Sequence, residues 1–302
     1  MTVSAGAKAP PRPGPGRRFS TFLSARPKLQ LALLLAAPVA WLVVAYLGSL
    51  AVLFVSAFWQ VDALTTEIVH TFTLQNFEDI LQGDVYRTIT LRTVGMAAAV
   101  TVTDALIAFP IAFYMAKVAS PRTRRLLVVA ILMPLWASYL VKVYAWRIIL
   151  SEQGILNWAL EPFGLKGPGL GAGNVAPWLV FSYIWLPYMI LPVYAGLERI
   201  PDSLLEASSD LGARSLRTFR RVVLPIAFPA LVAGSIFTFS LTLGDYIIPL
   251  QVSSKQFIGN VVYDNVGVAN NLPFAAAYAT VPVLIMIVYL GVARKLGAFR
   301  SL

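Results

Sequence analysis

The chain has 302 residues, of which 58% are hydrophobic, 13% are charged and none is cysteine. Soluble globular chains carry about 25% charged residues, so this composition predicts an integral membrane protein. The lack of cysteine excludes disulfide frameworks, thiolate metal sites and cysteine nucleophiles, and a single histidine, His70, argues against a Ser-His-Asp triad. The net charge of +10 suits either nucleic acid or an anionic membrane surface, and the placement of the charges decides between them.

Six segments are long and apolar enough to cross a membrane, which takes about 20 residues per helix. They lie at about residues 29–59, 93–115, 126–150, 176–197, 226–250 and 274–293. The sequence therefore predicts an all-α membrane protein with six transmembrane helices. The first segment is longer than the apolar core of a signal peptide, about 7–15 residues, so we interpret it as an uncleaved helix. Residues 1–28 contain five prolines and no periodic apolar pattern, which is typical of a disordered tail.

The basic residues indicate the orientation of the chain in the membrane. Most of the 24 Lys and Arg residues fall in the N-terminal tail, between spans two and three, between spans four and five, and after span six. Short cytoplasmic loops carry an excess of Lys and Arg. We therefore expect both termini to be cytoplasmic and the acidic loops to face outward. The basic excess then reports topology, and we expect no binding to nucleic acid.

The cytoplasmic loop at residues 198–225 mixes four acidic residues with five arginines. Ser203 and Glu206 have the spacing of a capping box, which predicts the start of a helix. Gly212 stands where a C-terminal cap would close that helix, and a second, basic amphipathic helix is predicted from Ser215. From these residues alone two roles remain open: anchoring on lipid headgroups and docking of a partner protein.

The spacing within this loop resembles the EAA loop of ABC importer permeases. That pattern is Glu-Ala-Ala, three residues, Gly, nine residues, a branched apolar residue, one residue and Leu-Pro. The matching residues are Glu206, Ala207, Ser208 (in place of the second alanine), Gly212, Val222, Leu224 and Pro225. The segments Tyr144–Trp146, Glu152–Asn157 and Leu243–Pro249 are similar to the spermidine/putrescine branch, although branches for opines, other amines, iron and small anions share much of them.

The resemblance implies the transmembrane domain of a type I ABC importer over residues 29–302, in the plasma (inner) membrane of a bacterium. It implies a permease subunit for a polyamine, working with a dimer of ABC ATPase subunits, a second permease subunit and an external solute-binding protein, within membrane lipid. The loop at 198–225 would dock on the ATPase. ATP and Mg would bind there, because this sequence has no Walker motif. We expect this chain to bind no cofactor or metal and to catalyse no reaction.

Two carboxylates are candidates for the substrate path: Asp104 in the middle of span two and Asp245 toward the outer end of span five. An ionisable residue within a span costs about 2.5–3.5 kcal/mol on insertion scales and marks a functional site by default. Carboxylates and aromatic faces replace the water around an ammonium group through charge pairing and cation–π contact. The aromatic candidates are Tyr144, Trp146, Trp185, Tyr188 and Tyr246.

Structural roles for the same residues remain open alternatives. Asp245 could cap a helix or pair near the outer interface, for instance with Lys142 or Arg147, and Asp104 could bond Thr101, Thr103 or a neighbouring helix. The aromatic residues also fit an interfacial belt. The alternative functions are an ABC importer for another solute, a secondary transporter, for which we find no convincing internal repeat, and a membrane enzyme, for which one histidine and no cysteine offer no catalytic constellation.

Overall fold

The computed structural model describes residues 27–62, 64–170 and 173–295. Residues 1–26 of the predicted disordered tail therefore lie outside the described residues. The chain divides into two units, Met1–Val55 and Ser56–Leu302. The described part of the first unit is a single helix, α1, which runs over Pro27–Ser56 and ends at the boundary.

The second unit begins with a short antiparallel hairpin, in which Gln60 pairs with Val69 and Val61 with Ile68. Its strands and first helix are β1 (Gln60–Val61), β2 (Ile68–Val69) and α2 (Gln75–Gln82). The remaining helices are α3 (Asp84–Val118), α4 (Pro121–Trp136), α5 (Tyr139–Ile149), α6 (Ile155–Leu160), α7 (Val175–Glu198), α8 (Asp202–Asp210), α9 (Ser215–Gly244), α10 (Ile247–Val252), α11 (Ile258–Gly267) and α12 (Leu272–Lys295).

Among the described residues, five helices are long and apolar enough to cross a membrane: α1, α3, α7, α9 and α12. The bent pair α4 and α5 makes a sixth crossing when it is counted as one span. The prediction of an all-α membrane fold of this kind is confirmed. Both the predicted and the observed spans follow from the same cause, since a backbone in hydrocarbon must satisfy its hydrogen bonds within one helix.

The third predicted span, 126–150, is not one continuous helix. Helices α4 and α5 meet at an angle of 93°. The backbone is extended at Ala137 (ψ 141°) and Ser138 (ψ 136°). Pro134 contributes to the break, because it cannot donate a backbone hydrogen bond in the last turn of α4.

Helices α3, α7 and α9 pack against one another and form the centre of the second unit. Helices α7 and α9 approach closely at Gly196, where an added Cβ would lie 2.3 Å from the Cβ of Ala230. Two of the buried clusters of the described residues extend from this centre toward the regions of interest. One joins α3 and α7 to α5 and α10, and the other joins α3 and α7 to the beginning of α9 and the segment after α7. The first cluster lies beside Asp245, and the second lies beside the loop at residues 198–225.

Candidate functional site

Asp245 lies in the break between α9 and α10 rather than inside a helix. Helix α9 ends at Gly244, so the prediction that span five continues to residue 250 is wrong. The Oδ1 atom of Asp245 accepts a hydrogen bond from the backbone N–H of Ile248 at 2.9 Å. Its Oδ2 atom accepts a hydrogen bond from the hydroxyl of Tyr139. The carboxylate therefore ties the first turn of α10 to the first residue of α5.

Tyr139 also brings aromatic side chains to this carboxylate. Its ring stacks on Trp185, with centroids 5.9 Å apart and an angle of 13° between the planes. Trp185 in turn meets the ring of Tyr188 edge-on at 5.8 Å. We call Tyr139, Trp185, Tyr188 and Asp245 the aromatic–carboxylate cluster. Three of its members are among the sequence candidates, and the fourth, Tyr139, was missed.

Asp104 lies halfway along α3 and is fully buried. The polar side chain beside its carboxylate is that of Ser182 on α7. Among the described residues, neither oxygen of Asp104 has a hydrogen-bond partner within the usual geometry, and the same holds for Ser182 Oγ and Trp185 Nε1. Ser182 and Trp185 are three residues apart on one helix face. The buried carboxylate therefore lies on the side of α7 that carries the aromatic–carboxylate cluster.

Of the structural alternatives for these aspartates, the capping role of Asp245 is present and a neighbouring helix places Ser182 beside Asp104, whereas the named threonine and basic partners are not engaged. The Thr101 hydroxyl donates to the carbonyl of Ala97 at 2.7 Å, and the Thr103 hydroxyl accepts from Trp178 at 3.1 Å. No threonine of the described chain therefore bonds Asp104. The predicted ion pairs of Asp245 are likewise missing among the described residues. Arg147, one of the two proposed partners, donates instead to Gln251 at 2.8 Å.

The other aromatic candidates lie outside the cluster. Trp146 packs on Tyr183 with centroids 5.3 Å apart, and Tyr246 stacks on Tyr263 at 4.6 Å. Tyr144 is 47% exposed and has no aromatic contact within the described part of the chain. Trp146 also packs against the buried cluster that contains Trp185, whereas Tyr144 and Tyr246 make no ring contact with Trp185 or Tyr188 among the described residues.

Gly259 in α11 sets the position of the Asp245 backbone. A Cβ at this glycine would lie 2.7 Å from the carbonyl oxygen of Asp245 and 2.8 Å from that of Gly244. Backbone atoms cannot rotate away, so we expect Gly259→Ala to displace the carboxylate and to cost about 1–3 kcal/mol of stability, as overpacking does. Gly267→Ala is the matched control, because no atom lies within 4 Å of its added Cβ. Equal midpoints of thermal unfolding for the two variants in detergent would contradict this expectation.

The predicted coupling loop, residues 198–225, contains the short helix α8 and the beginning of α9. The cap residue of α8 is Pro201, with an extended backbone, and no side chain caps the helix. The predicted capping box of Ser203 and Glu206 is therefore wrong, because Ser203 already lies inside the first turn. The side chains of Glu206 and Ala207 are exposed, and that of Ser208 is half-buried.

Gly212 closes α8 as predicted, in the left-handed conformation with φ +73°. Its N–H donates to the carbonyl of Ser209 at 2.8 Å, and the N–H of Ala213 donates to that of Ser208 at 3.1 Å. This pair of bonds is the Schellman motif, which satisfies the last carbonyls of a helix. The Ser208 hydroxyl also bonds that of Thr218 at 2.8 Å, so the angle between α8 and α9 is held on both sides of the turn.

Leu224 and Pro225 lie inside α9 rather than at its start. A π-helical turn at Phe219–Val223 precedes them, and the helix continues through Pro225 to Gly244. The second helix of the loop and span five are therefore one continuous helix.

Comparison with known proteins identifies the family. The family described as "Binding-protein-dependent transport system inner membrane component" matches residues 93–296. "Inner membrane ABC transporter permease protein YdcU" of Escherichia coli K12 is 45% identical over 98% of this chain and 98% of its own length. "Spermidine/putrescine transport system permease protein PotB" of the same strain is 30% identical over 82% of this chain and 90% of its own length.

Solved structures show the same fold. A bacterial ABC transporter involved in the import of the acidic polysaccharide alginate aligns with a TM-score of 0.64 and 17% identity, over 92% of this chain and 99% of its own. The alginate transporter in complex with an alginate pentasaccharide-bound periplasmic protein aligns with a TM-score of 0.68 and 16% identity, over 92% and 98%. The resemblance stated from the EAA loop is confirmed. The chain belongs to the inner membrane components of binding-protein-dependent transport systems, as a multi-pass, non-catalytic permease subunit of an ABC importer.

Proposed function

We propose that this permease carries a polyamine of the spermidine and putrescine class. The observation that supports the proposal is the aromatic–carboxylate cluster, in which the Asp245 carboxylate lies next to the stacked rings of Tyr139 and Trp185. An ammonium group that leaves water needs a negative charge and ring faces to replace its hydration. Asp104 adds a second carboxylate on the same side of α7, and two carboxylates suit a substrate with more than one ammonium group.

The relatives support this substrate class to a limited extent. PotB, whose name specifies spermidine and putrescine, is 30% identical to this chain. YdcU, at 45% identity, has a name that specifies no solute. The polyamine therefore rests on the residues of the cluster together with the PotB likeness. The alternative is an importer of the same kind for another solute, such as an opine, another amine, iron or a small anion.

The energy for transport would come from a partner ATPase. We propose that α8 docks on an ATPase dimer that binds ATP and Mg, and that Glu206, Ala207 and Ser208 form the contact. The exposure of Glu206 and Ala207 supports this role, since small side chains on α8 allow a partner surface to approach closely. A second permease subunit would complete the path, and an external solute-binding protein would deliver the polyamine.

The test is uptake by the assembled transporter in proteoliposomes. We expect labelled spermidine or putrescine to enter only when ATP, the ATPase and the binding protein are all present. Uptake by this chain without ATP would contradict the ABC mechanism for this subunit. ATP hydrolysis that is stimulated by a different solute, and by neither polyamine, would retain the mechanism and reject the polyamine.

A further inference from the structure

A nearly buried lysine ties α8 to the end of α3. The side chain of Lys117 is 9% exposed, and its ammonium lies 2.8 Å from Oδ1 of Asp202 in the first turn of α8. The same ammonium donates to the carbonyl of Ile200, just before α8. The hydrogen bond and charge of Lys117 hold the pKa of Asp202 below its usual value. One cation therefore links the start of α8 to the last turn of α3.

Arg124 joins two more spans at the same place. From the first turn of α4 its guanidinium donates to the carbonyls of Met115 and Ala116, at 3.0 and 3.1 Å, which caps the end of α3. It also lies 3.5 Å from the carboxylate of Glu198, the last residue of α7. The ends of α3, α4 and α7 are thus connected by one side chain beside the Lys117–Asp202 pair.

Apolar contacts also connect α8 with α3. Ile200 is 2% exposed and belongs to the buried cluster that contains Met115 of α3. Leu205 of α8 packs against that cluster. Helix α3 then runs without a break from Lys117 back to Asp104, a distance of about 20 Å at 1.5 Å per residue. One continuous helix, which includes Pro110 and a π-helical turn at Tyr114–Val118, therefore leads from the contacts of α8 to the buried carboxylate.

We propose that Lys117 is a positioning residue that makes α8 and α3 move as one body when the ATPase acts on α8. The proposal rests on the proposed docking of α8 and adds the route by which that motion reaches the path at Asp104. Arg122, in the first turn of α4, does not share the role. Its side chain is exposed and forms no hydrogen bond or ion pair with any residue in the described ranges.

The experiment measures the distance between α8 and α3 in the assembled complex. The chain has no cysteine, so Asp210→Cys in α8 and Leu106→Cys in α3, both exposed residues, are its only labelling sites, and the spin labels are attached before the complex is assembled. Electron paramagnetic resonance gives the distance without nucleotide and with trapped ATP. We expect it to stay constant in the otherwise unchanged chain and in the control Arg122→Gln. In Lys117→Gln the distance should differ between the nucleotide-free and the ATP-trapped state. In Lys117→Arg the distance should again be the same in both states.

The distance needs no transported solute, so its outcome is independent of the polyamine proposal. Where solute uptake is measured as well, Lys117→Gln should lose about fivefold in uptake per ATP hydrolysed, at the lower end of typical coupling energies. Asp202→Asn removes the negative charge that pairs with Lys117, at an exposed position. This variant replaces Lys117→Gln in the distance measurement if the latter does not assemble into the complex. A distance that stays constant in both variants, or one that changes in the unaltered chain, overturns the proposal.

Discussion

Replacing Asp245 by asparagine should lower polyamine uptake at least about thirtyfold, because loss of a desolvated charge partner costs about 2–5 kcal/mol. Asparagine has nearly the same shape and still offers an oxygen to the N–H of Ile248, which now bonds Oδ1 at 2.9 Å. The first turn of α10 therefore keeps its cap. The measurement is the initial rate of labelled spermidine uptake in proteoliposomes, with ATP hydrolysis recorded in parallel.

Two variants separate a role in transport from a role in folding. Tyr139→Phe removes the hydroxyl that donates to Asp245 but keeps the ring that stacks on Trp185, so we expect a much smaller loss of uptake. Asp84→Asn removes a carboxylate at the start of α3 whose side chain is 96% exposed, and uptake should stay unchanged. Equal losses in Asp245→Asn and Tyr139→Phe would indicate that the hydrogen bond only holds α5 against α10.

The features that the sequence predicted correctly are those with a local cause. Apolar runs bounded by charges predicted the long helices, since length and composition alone decide whether a helix suits the membrane. Gly212 was correctly predicted to adopt a left-handed turn, because that conformation strongly favours glycine at the end of a helix. The EAA spacing predicted the family because its residues all lie in one short segment, which forms a helix, a turn and a second helix.

The features that were missed depend on contacts between distant parts of the chain. Tyr139 and Asp245 are 106 positions apart, and no periodicity links them. A signal was present in the Pro134 and Ser138 that precede Tyr139, since they interrupt the third span. The capping box failed for a related reason. The helix begins at Asp202, whose carboxylate is held by Lys117 from another span, so Ser203 is one residue too late to cap it.

Gly212→Val should uncouple ATP hydrolysis from uptake by about tenfold or more. At φ +73° a β-branched residue is a steric outlier, and a residue held in such a conformation costs about 1–3 kcal/mol. An added Cβ would meet no atom within 4 Å, so the cost is backbone strain rather than a clash. The chain relieves that strain by leaving the left-handed region, which breaks the Schellman bonds and changes the angle between α8 and α9.

The matched control uses the difference between residue types in the left-handed region. Asparagine adopts that conformation more readily than valine, so Gly212→Asn should retain most of the uptake, and Gly212→Asp should lie between the two. The measurement is uptake per ATP hydrolysed, with membrane insertion checked by the yield of assembled complex. If Gly212→Val and Gly212→Asn were equally impaired, the side chain itself would be blocking the ATPase surface. If the series follows the cost of a positive φ, the angle that Gly212 sets between α8 and span five is what carries the force of the ATPase into the membrane.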